Sequence, residues 1–368
     1  MLLTIIVFIA ILAVLVLAHE LGHFFTARKL GVNVEEFGFG FPPRVLSVKK
    51  NNTTYSLNLL PLGGFVKLKG ENGEGKQDAD SFAAQLAWKR SVILVAGVFM
   101  NVVLCFVLLS VGFMSGLPTI VDESNVTAAR DVKVQIFSVL PQSPAAKAGI
   151  GIGDSIISLD GVKFDSLEQV QNYIAEHNNI ALSVKLEQNG APVEKQVIPM
   201  VLPESNNKAA MGVTLIQTGI ISYPWYESIW MGGKSTGYLI YDTVAGFVMI
   251  IKNLISEHKT GVEVAGPVGI AVLTGQVVSL GWIYVLQFAA LLSINLAIIN
   301  ILPIPALDGG RILFVIIEKI RRKANSEKIE ALVHQIGFMF LMLLIVVVTY
   351  KDLMRFGDKI LNAISKLW

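Results

Sequence analysis

Charge is what this chain most lacks. Only 16% of its 368 residues are Asp, Glu, Lys or Arg, where a typical soluble domain has about 25%. Apolar side chains make up 53%, and the mean hydropathy of +0.60 excludes a single ordinary soluble domain. Cysteine is nearly missing as well. Cys105 stands alone, which excludes an internal disulfide framework and a cysteine-based zinc finger. The net charge is only +2 and no basic stripe is interleaved with aromatic residues, so nothing points to nucleic acid as a partner. Glycine (32) and proline (13) are scattered, which excludes collagen-like and low-complexity chains.

The apolar residues are bunched into four runs. Leu2–Ala18 is broken only by Thr4, and Val92–Met114 by Asn101 and Ser110. Ile283–Leu302 is broken by Gln287, Ser293, Asn295 and Asn300, and Ala331–Tyr350 ends in a near-uniform apolar stretch. A membrane span needs roughly 17–25 mostly apolar residues, so four transmembrane helices are expected, the first and last being the shortest. Val16-Leu17-Ala18 resembles a signal-peptide cleavage site. No Lys or Arg precedes that run, however, and the helical pattern continues to about Lys29, so an uncleaved helix is expected.

Loop charges give an orientation. Residues 28–90 carry ten Lys/Arg and residues 303–332 carry six, while ten are spread thinly over the long segment 116–281. The first and third loops are therefore expected in the cytoplasm and the long one outside. Lys351, Arg355, Lys359 and Lys366 fall on the outer side and run against this rule.

The sequence thus divides into a first transmembrane helix (1–30), a β-rich loop on the cytoplasmic side (31–80), a second span (90–116), an extracytoplasmic domain (120–215), a membrane-proximal amphipathic region (220–280), a third transmembrane helix with LDGG (282–310), a fourth span (331–352) and a tail (353–368). In the loop, strand-like runs cover Val34–Phe41, Val45–Lys49, Thr54–Leu60 and Phe65–Lys69, broken by Pro42-Pro43 and Pro61-Leu-Gly-Gly64. In the outer domain, strands are expected at Val132–Val139, Ile156–Leu159, Leu182–Gln188 and Pro192–Ile198, the last two joined at Asn189-Gly190. Ser166 with Gln169 forms a capping-box pattern before a helix that runs to about His177. Residues 226–256 read either as an interfacial amphipathic helix or as a helix packed on the outer domain.

One motif carries chemistry. His19-Glu20-Leu21-Gly22-His23 is H-E-x-x-H. With five His and seventeen Glu in the chain, about 0.003 chance matches are expected. On a helix, positions i and i+4 share a face, so both imidazoles can reach one zinc ion, and the intervening Glu can take a proton from its water. Ionisable groups at the end of an apolar helix are themselves a functional signal. A catalytic zinc wants a third protein ligand. His177, His258 and His334 are poor candidates by position, whereas Asp308 follows the breaks at Pro303 and Pro305 on the membrane side assigned to His19 and His23. Spacing alone leaves Asp308 equally readable as the N-cap of a helix over Arg311–Lys323.

Taken together, HELGH in the first span, LDGG (Leu307–Gly310) in the third, a β-rich loop between spans and the stretch "VLPQSPAAKAGIGIGDSIISLDGVKF" resemble the site-2 protease family of zinc intramembrane metalloproteases. The bacterial members that cleave transmembrane anti-sigma factors and remnant signal peptides are the most similar group. The resemblance implies a polytopic α-helical membrane protein with four transmembrane helices, a membrane-associated β-loop and one inserted α/β PDZ domain, where some members carry two. It implies one catalytic Zn2+ held by His19, His23 and Asp308, with Glu20 as acid/base. Asn300 falls on the family's substrate-binding Asn, or serves as an interhelical hydrogen-bonding group. Gly38, Gly40, Gly63 and Gly64 fall in a re-entrant loop that holds substrate as an added strand. Gly266-Pro267-Val268-Gly269 matches a further family motif. The implied partners are the lipid bilayer, transmembrane substrates after upstream trimming, and a peptide or C-terminus at the PDZ domain. The implied location is the bacterial cytoplasmic (inner) membrane, with the active site near the cytoplasmic side. Two other readings remain open: a membrane-anchored peptidase acting on soluble or misfolded proteins, and a non-catalytic PDZ scaffold.

Overall fold

The computed structural model describes residues 2–71, 73, 75–121, 125, 129–164, 166–188, 190–202, 208–256, 265–323 and 325–365. Asn189, His258 and Lys366, named above, lie outside them. In chain order the elements are α1 (Leu2–Lys29), β1 (Val34–Lys50), β2 (Thr53–Leu68), α2 (Ala87–Ser115), β3 (Leu117–Ile120), β4 (Ala129–Val139), α3 (Pro144–Lys147), β5 (Ser155–Leu159), α4 (Leu167–Glu176), β6 (Leu182–Gln188), β7 (Ala191–Val197), β8 (Met200–Val201), β9 (Ala209–Ala210), β10 (Val213–Ile221), α5 (Trp225–Ser256), α6 (Pro267–Leu280), α7 (Trp282–Ile301), α8 (Asp308–Arg321) and α9 (Glu327–Ser365). They form two compact units, one of Met1–Val111, Ile229–Val278 and Val285–Trp368, the other of Gly112–Ser228 with Ser279–Tyr284.

Among the described residues, four helices are long and apolar enough to cross a membrane: Leu2–Lys29, Ala87–Ser115, Trp282–Ile301 and Lys328–Gly357. All four expected runs fall on these helices, but the expected order of lengths does not hold. The third is the shortest, at 20 residues, against 28 for the first and 30 for the last. α7 stops short because Pro303 lacks a backbone N–H and disfavours helical backbone in the residue before it. α1 instead continues through the polar sequence His19–Lys29, and α9 runs on to Ser365, through the segment read as a tail.

Three of these helices meet in one apolar cluster, where Ile11 and Leu15 of α1, Leu104 and Leu108 of α2, and Ala289 and Leu292 of α7 pack together. A second cluster joins the end of α1 to its flank. Phe24 and Ala27 pack with Val34, Leu68, Ile93, Leu94 and Val315, so the strands, α2 and α8 are all fixed against the polar end of α1.

The β-rich loop is a folded-over hairpin. Residues 36–39 pair with 64–67 on one side and with 54–57 on the other, and residues 46–49 pair with the far side of 54–57. The four expected runs are therefore four limbs of one small sheet, in the order 44–50, 53–60, 34–41, 64–68, with the 44–50 limb exposed along its length. That exposed limb carries Val45, Leu46 and Val48.

The second unit holds a six-stranded sheet of order β3-β10-β4-β5-β6-β7. β6 alternates with period two: Leu182, Val184 and Leu186 are fully buried while Lys185 faces out. They pack with Val134, Ile136, Leu159, Val170 and Ile174. The expected strands and helix are present to within three residues at each end, and the Ser166 hydroxyl accepts from the Gln169 N–H at the start of α4.

Residues 226–256 fall in α5, a single helix outside the four candidate spans. Its Gly232 and Thr236 lie against Ser110 and Cys105 of α2.

Candidate metal centre

His19 and His23 stand one turn apart on α1, and both are buried. Their rings meet edge to face with centroids 4.7 Å apart, and their Nε2 atoms lie 3.1 Å apart. Asp308 brings Oδ2 to 3.1 Å from Nε2 of His19 and 3.3 Å from Nε2 of His23. The three donors form a nearly equilateral triangle. Ligand bonds of about 2.0–2.1 Å in a tetrahedral zinc site put neighbouring donors roughly 3.3–3.4 Å apart. The triangle therefore matches one face of that tetrahedron, slightly contracted, with the fourth corner free of these three groups. Asp308 Oδ2 is also buried without a hydrogen-bond donor, although two imidazole nitrogens face it. Nitrogen lone pairs converging on an orphaned carboxylate oxygen fit a shared cation.

The local fold explains how Asp308 arrives there. Pro303 and Pro305 end α7, and Ala306 takes a positive φ of 76°. The Ala306 N–H donates to Nδ1 of His334 at 2.9 Å, which holds the turn against α9. α8 then starts at once, and its first turn lies on the backbone just before it. A Cβ on Gly309 would sit 2.2 Å from the Leu302 carbonyl oxygen, and one on Gly310 would sit 2.4 Å from that of Ile304. The Gly-Gly pair is thus required by this approach. Leu307, not Asp308, occupies the N-cap position, which leaves the Asp308 carboxylate turned to the imidazoles. Asp308 lies outside the four apolar helices.

α2 backs the histidines. The His23 Nδ1–H donates to the Ile93 carbonyl at 2.8 Å, which leaves the Nε2 lone pair free for the centre. One turn further on, a Cβ at Gly97 would fall 2.2 Å from His23 Nε2, so only glycine lets the helix come this close. Another turn on, the Asn101 side-chain amide lies 3.4 Å from His19 Nδ1.

Glu20 lies between the two histidines on α1 and is partly exposed. The sheet reaches it at Gly64, where a Cβ would be 3.4 Å from Glu20 Cγ and 3.2 Å from the Gly38 carbonyl oxygen. Gly38 is paired across from Phe65. The Gly40 carbonyl accepts from the Asn58 side chain at 3.0 Å, and Gly63 is buried in β2. Asn300, near the end of α7, places its amide nitrogen 3.5 Å from His19 Nε2. The structure therefore gathers His19, His23, Asp308 and Asn300 directly and brings Gly64 beside Glu20. Gly40 lies further along the sheet, against Asn58 and Leu60.

Three contributors went unread in the sequence. Ile93 acts through its backbone, which has no residue signature. Asn101 showed only as a polar interruption of a span, although a buried amide there must find a partner. His334 is a poor ligand candidate by its sequence position, and its contact with Ala306 depends on the turn geometry.

The sequence profile of Peptidase family M50 matches residues 7–344. The chain belongs to this family. Zinc metalloprotease RasP of Geobacillus kaustophilus is 31% identical over 435 aligned residues, covering 96% of this chain and 98% of that protein. The regulator of sigma-W protease RasP of Bacillus subtilis is 30% identical, with 96% and 98% covered. Among solved structures, the PDZ domain of an SdrC-like protein from Listeria monocytogenes aligns at 22% identity over 22% of this chain and 85% of that one, with a TM-score of 0.21. M50 is a protease family, and this member is a zinc metalloprotease of the site-2 protease kind.

Proposed function

We propose that this M50 member hydrolyses peptide bonds within the transmembrane segments of single-span proteins, such as anti-sigma factors or remnant signal peptides, in the bacterial cytoplasmic membrane. The observation that carries the reading is the donor triangle of His19, His23 and Asp308, at 3.1–3.3 Å. It is built from one apolar helix and the turn that follows another, and that placement suits a substrate lying in the bilayer better than a soluble one.

In this reading His19, His23 and Asp308 hold one zinc ion, which when bound acidifies a water to a pKa of roughly 7 and acts as a Lewis acid. Glu20 accepts the proton of the attacking water and delivers it to the leaving amine. A transmembrane helix hides its peptide bonds in its own hydrogen bonds, so the substrate must be unwound before attack. The small sheet supplies backbone for strand addition; Gly64 lets it lie against Glu20, and Gly38 lets its limbs pack closely beside Phe65, so a strand added to it would run near Glu20. Gly40 and Gly63 belong to the same loop backbone, which in this reading takes part in holding the substrate strand. The Asn300 amide, beside His19, binds the substrate backbone.

The second unit serves as a PDZ-type domain outside the membrane. A cavity of about 480 Å³ between α4 and β10, lined by Ile174, Ala175, Met211 and Leu215, suits a peptide or C-terminus. The domain restricts access by substrates that still carry large outer domains, which places a trimming step upstream.

The test is to co-express the wild type or Glu20→Gln with a library of single-span membrane proteins. Specific members should accumulate uncut only beside the variant. If no single-span protein differs between the two, while soluble or misfolded proteins do, the intramembrane reading is wrong.

A further inference from the structure

We propose that Asn101 is a positioning residue for the metal centre: its side-chain carbonyl accepts the Nδ1 proton of His19 and so fixes which nitrogen of that ring is offered to the ion. The inference rests on the reading of His19 as a zinc ligand.

A neutral imidazole carries one ring proton. A histidine that ligates through Nε2 must keep that proton on Nδ1, and it needs an acceptor there to hold both tautomer and ring orientation. His23 has such an acceptor in the Ile93 carbonyl. His19 is equally buried, and the group beside its Nδ1 is the Asn101 amide, with the nitrogen placed at 3.4 Å. Asn101 is completely buried, and its Oδ1 has no hydrogen-bond partner.

Two facts make that orientation of the amide the wrong one. A donor nitrogen facing a protonated Nδ1 is a clash of two donors, and the orphaned oxygen costs about 1–3 kcal/mol. Rotating the amide by half a turn, which exchanges two atoms of nearly equal size, removes the clash and gives the oxygen a donor, while the nitrogen takes the position the oxygen leaves. The oxygen then receives the His19 proton.

The backbone around Asn101 is built to keep it there. The Asn101 carbonyl accepts from the Ser293 hydroxyl of α7 at 2.8 Å, and Ser293 is itself fully buried. Gly97, one turn earlier, permits the close approach of α2. One helix thus supplies the second partner of both histidines, a main-chain carbonyl for His23 and a side-chain carbonyl for His19, two turns apart.

The test uses purified full-length protein in detergent. Zinc affinity is measured by chelator competition, and the ligand field by the visible spectrum of the Co2+-substituted protein. Asn101→Leu keeps the volume and removes the acceptor. Asn101→Asp keeps an acceptor oxygen. Asn101→Leu should bind zinc about 10–100-fold more weakly with an altered Co2+ spectrum, while Asn101→Asp should retain wild-type affinity or better. If Asn101→Leu binds as tightly as wild type with the same spectrum, the proposal is wrong. If Asn101→Asp weakens binding as much as Asn101→Leu does, an acceptor oxygen at this position is not what the centre needs, and the proposal is equally wrong. Should His19→Ala leave the wild-type zinc affinity unchanged, the ligand assignment itself fails, an outcome distinct from the other two.

Discussion

The two units of this protein use their buried polar groups in different ways. In the sheet unit the core strand alternates, with Leu182, Val184 and Leu186 inward and Lys185 outward, and the buried Ser143 and Asp154 side chains accept from nearby backbone N–H groups. In the helical unit the interior holds His19, His23, Asn101, Ser293 and Asp352, while Phe338, Met339 and Leu343 face outward. Water drives the first arrangement, since each buried apolar side chain gains roughly 1.5–3 kcal/mol by leaving it. In lipid that gain is absent between helices, and close packing and hydrogen bonds select what goes inside. Asp352 illustrates the second rule: its Oδ2 accepts from the Gly269 N–H at 2.7 Å, capping α6 from another helix. The buried polar groups of the sheet unit bond its own turns, whereas those of the helical unit link one helix to another and include the metal centre.

Substitutions that cross this divide should differ sharply in size. The largest effect is expected from Asp308→Ala, which removes one corner of the donor triangle: zinc content measured by atomic absorption should fall from near stoichiometric to near zero, with cleavage at background. Gly97→Val comes next, because a side chain there overlaps His23 Nε2. It should lose zinc as fully as a ligand substitution while the sheet unit still folds, as read by its proteolytic protection. Glu20→Gln should slow turnover of a single-span substrate by about 10²–10⁴-fold and leave zinc content unchanged. A parallel loss of metal would mean that Glu20 holds the ion rather than the proton.

Stability changes are smaller. Leu186→Ala should destabilise the sheet unit by roughly 2–5 kcal/mol, visible in hydrogen exchange of β6, with zinc affinity unaltered. The smallest effect is expected from Leu343→Ala on the outward face of α9. It should change unfolding in detergent or bicelles by less than about 0.5 kcal/mol. A cost comparable to that of Leu186→Ala would show that this face is covered by protein rather than lipid.

The sequence was most informative where the physics is local. The four apolar helices follow from run length, the strands of the sheet unit from alternation, and the α4 start from Ser166 and Gln169. Two of the three donors came from a four-residue spacing on one helix. What stayed hidden depends on long-range placement. Spacing left Asp308 divided between a helix cap and a ligand, because nothing near it in sequence names its partners; family resemblance favoured the ligand, and the structure places it against both histidines. The limbs of the small sheet were legible one by one, but their order was not, since residues 34–41 pair with segments on both sides. Asn101 and Ser293 looked alike as polar breaks in apolar runs until α2 and α7 were seen to meet. The relative lengths of the helices were misjudged because hydropathy ends at Ala18 and Tyr350 while helical hydrogen bonding does not.

The donor triangle has one more consequence. Its corners come from the first helix and from a turn close to the last one, so an ion seated there acts as a cross-link that closes most of the chain into a single loop. An ion that binds only the folded arrangement adds its binding free energy to folding. Metal loading would then govern how long the protein survives in the membrane as well as whether it can cut, and a cell short of zinc would lose the enzyme to degradation as well as to inactivity.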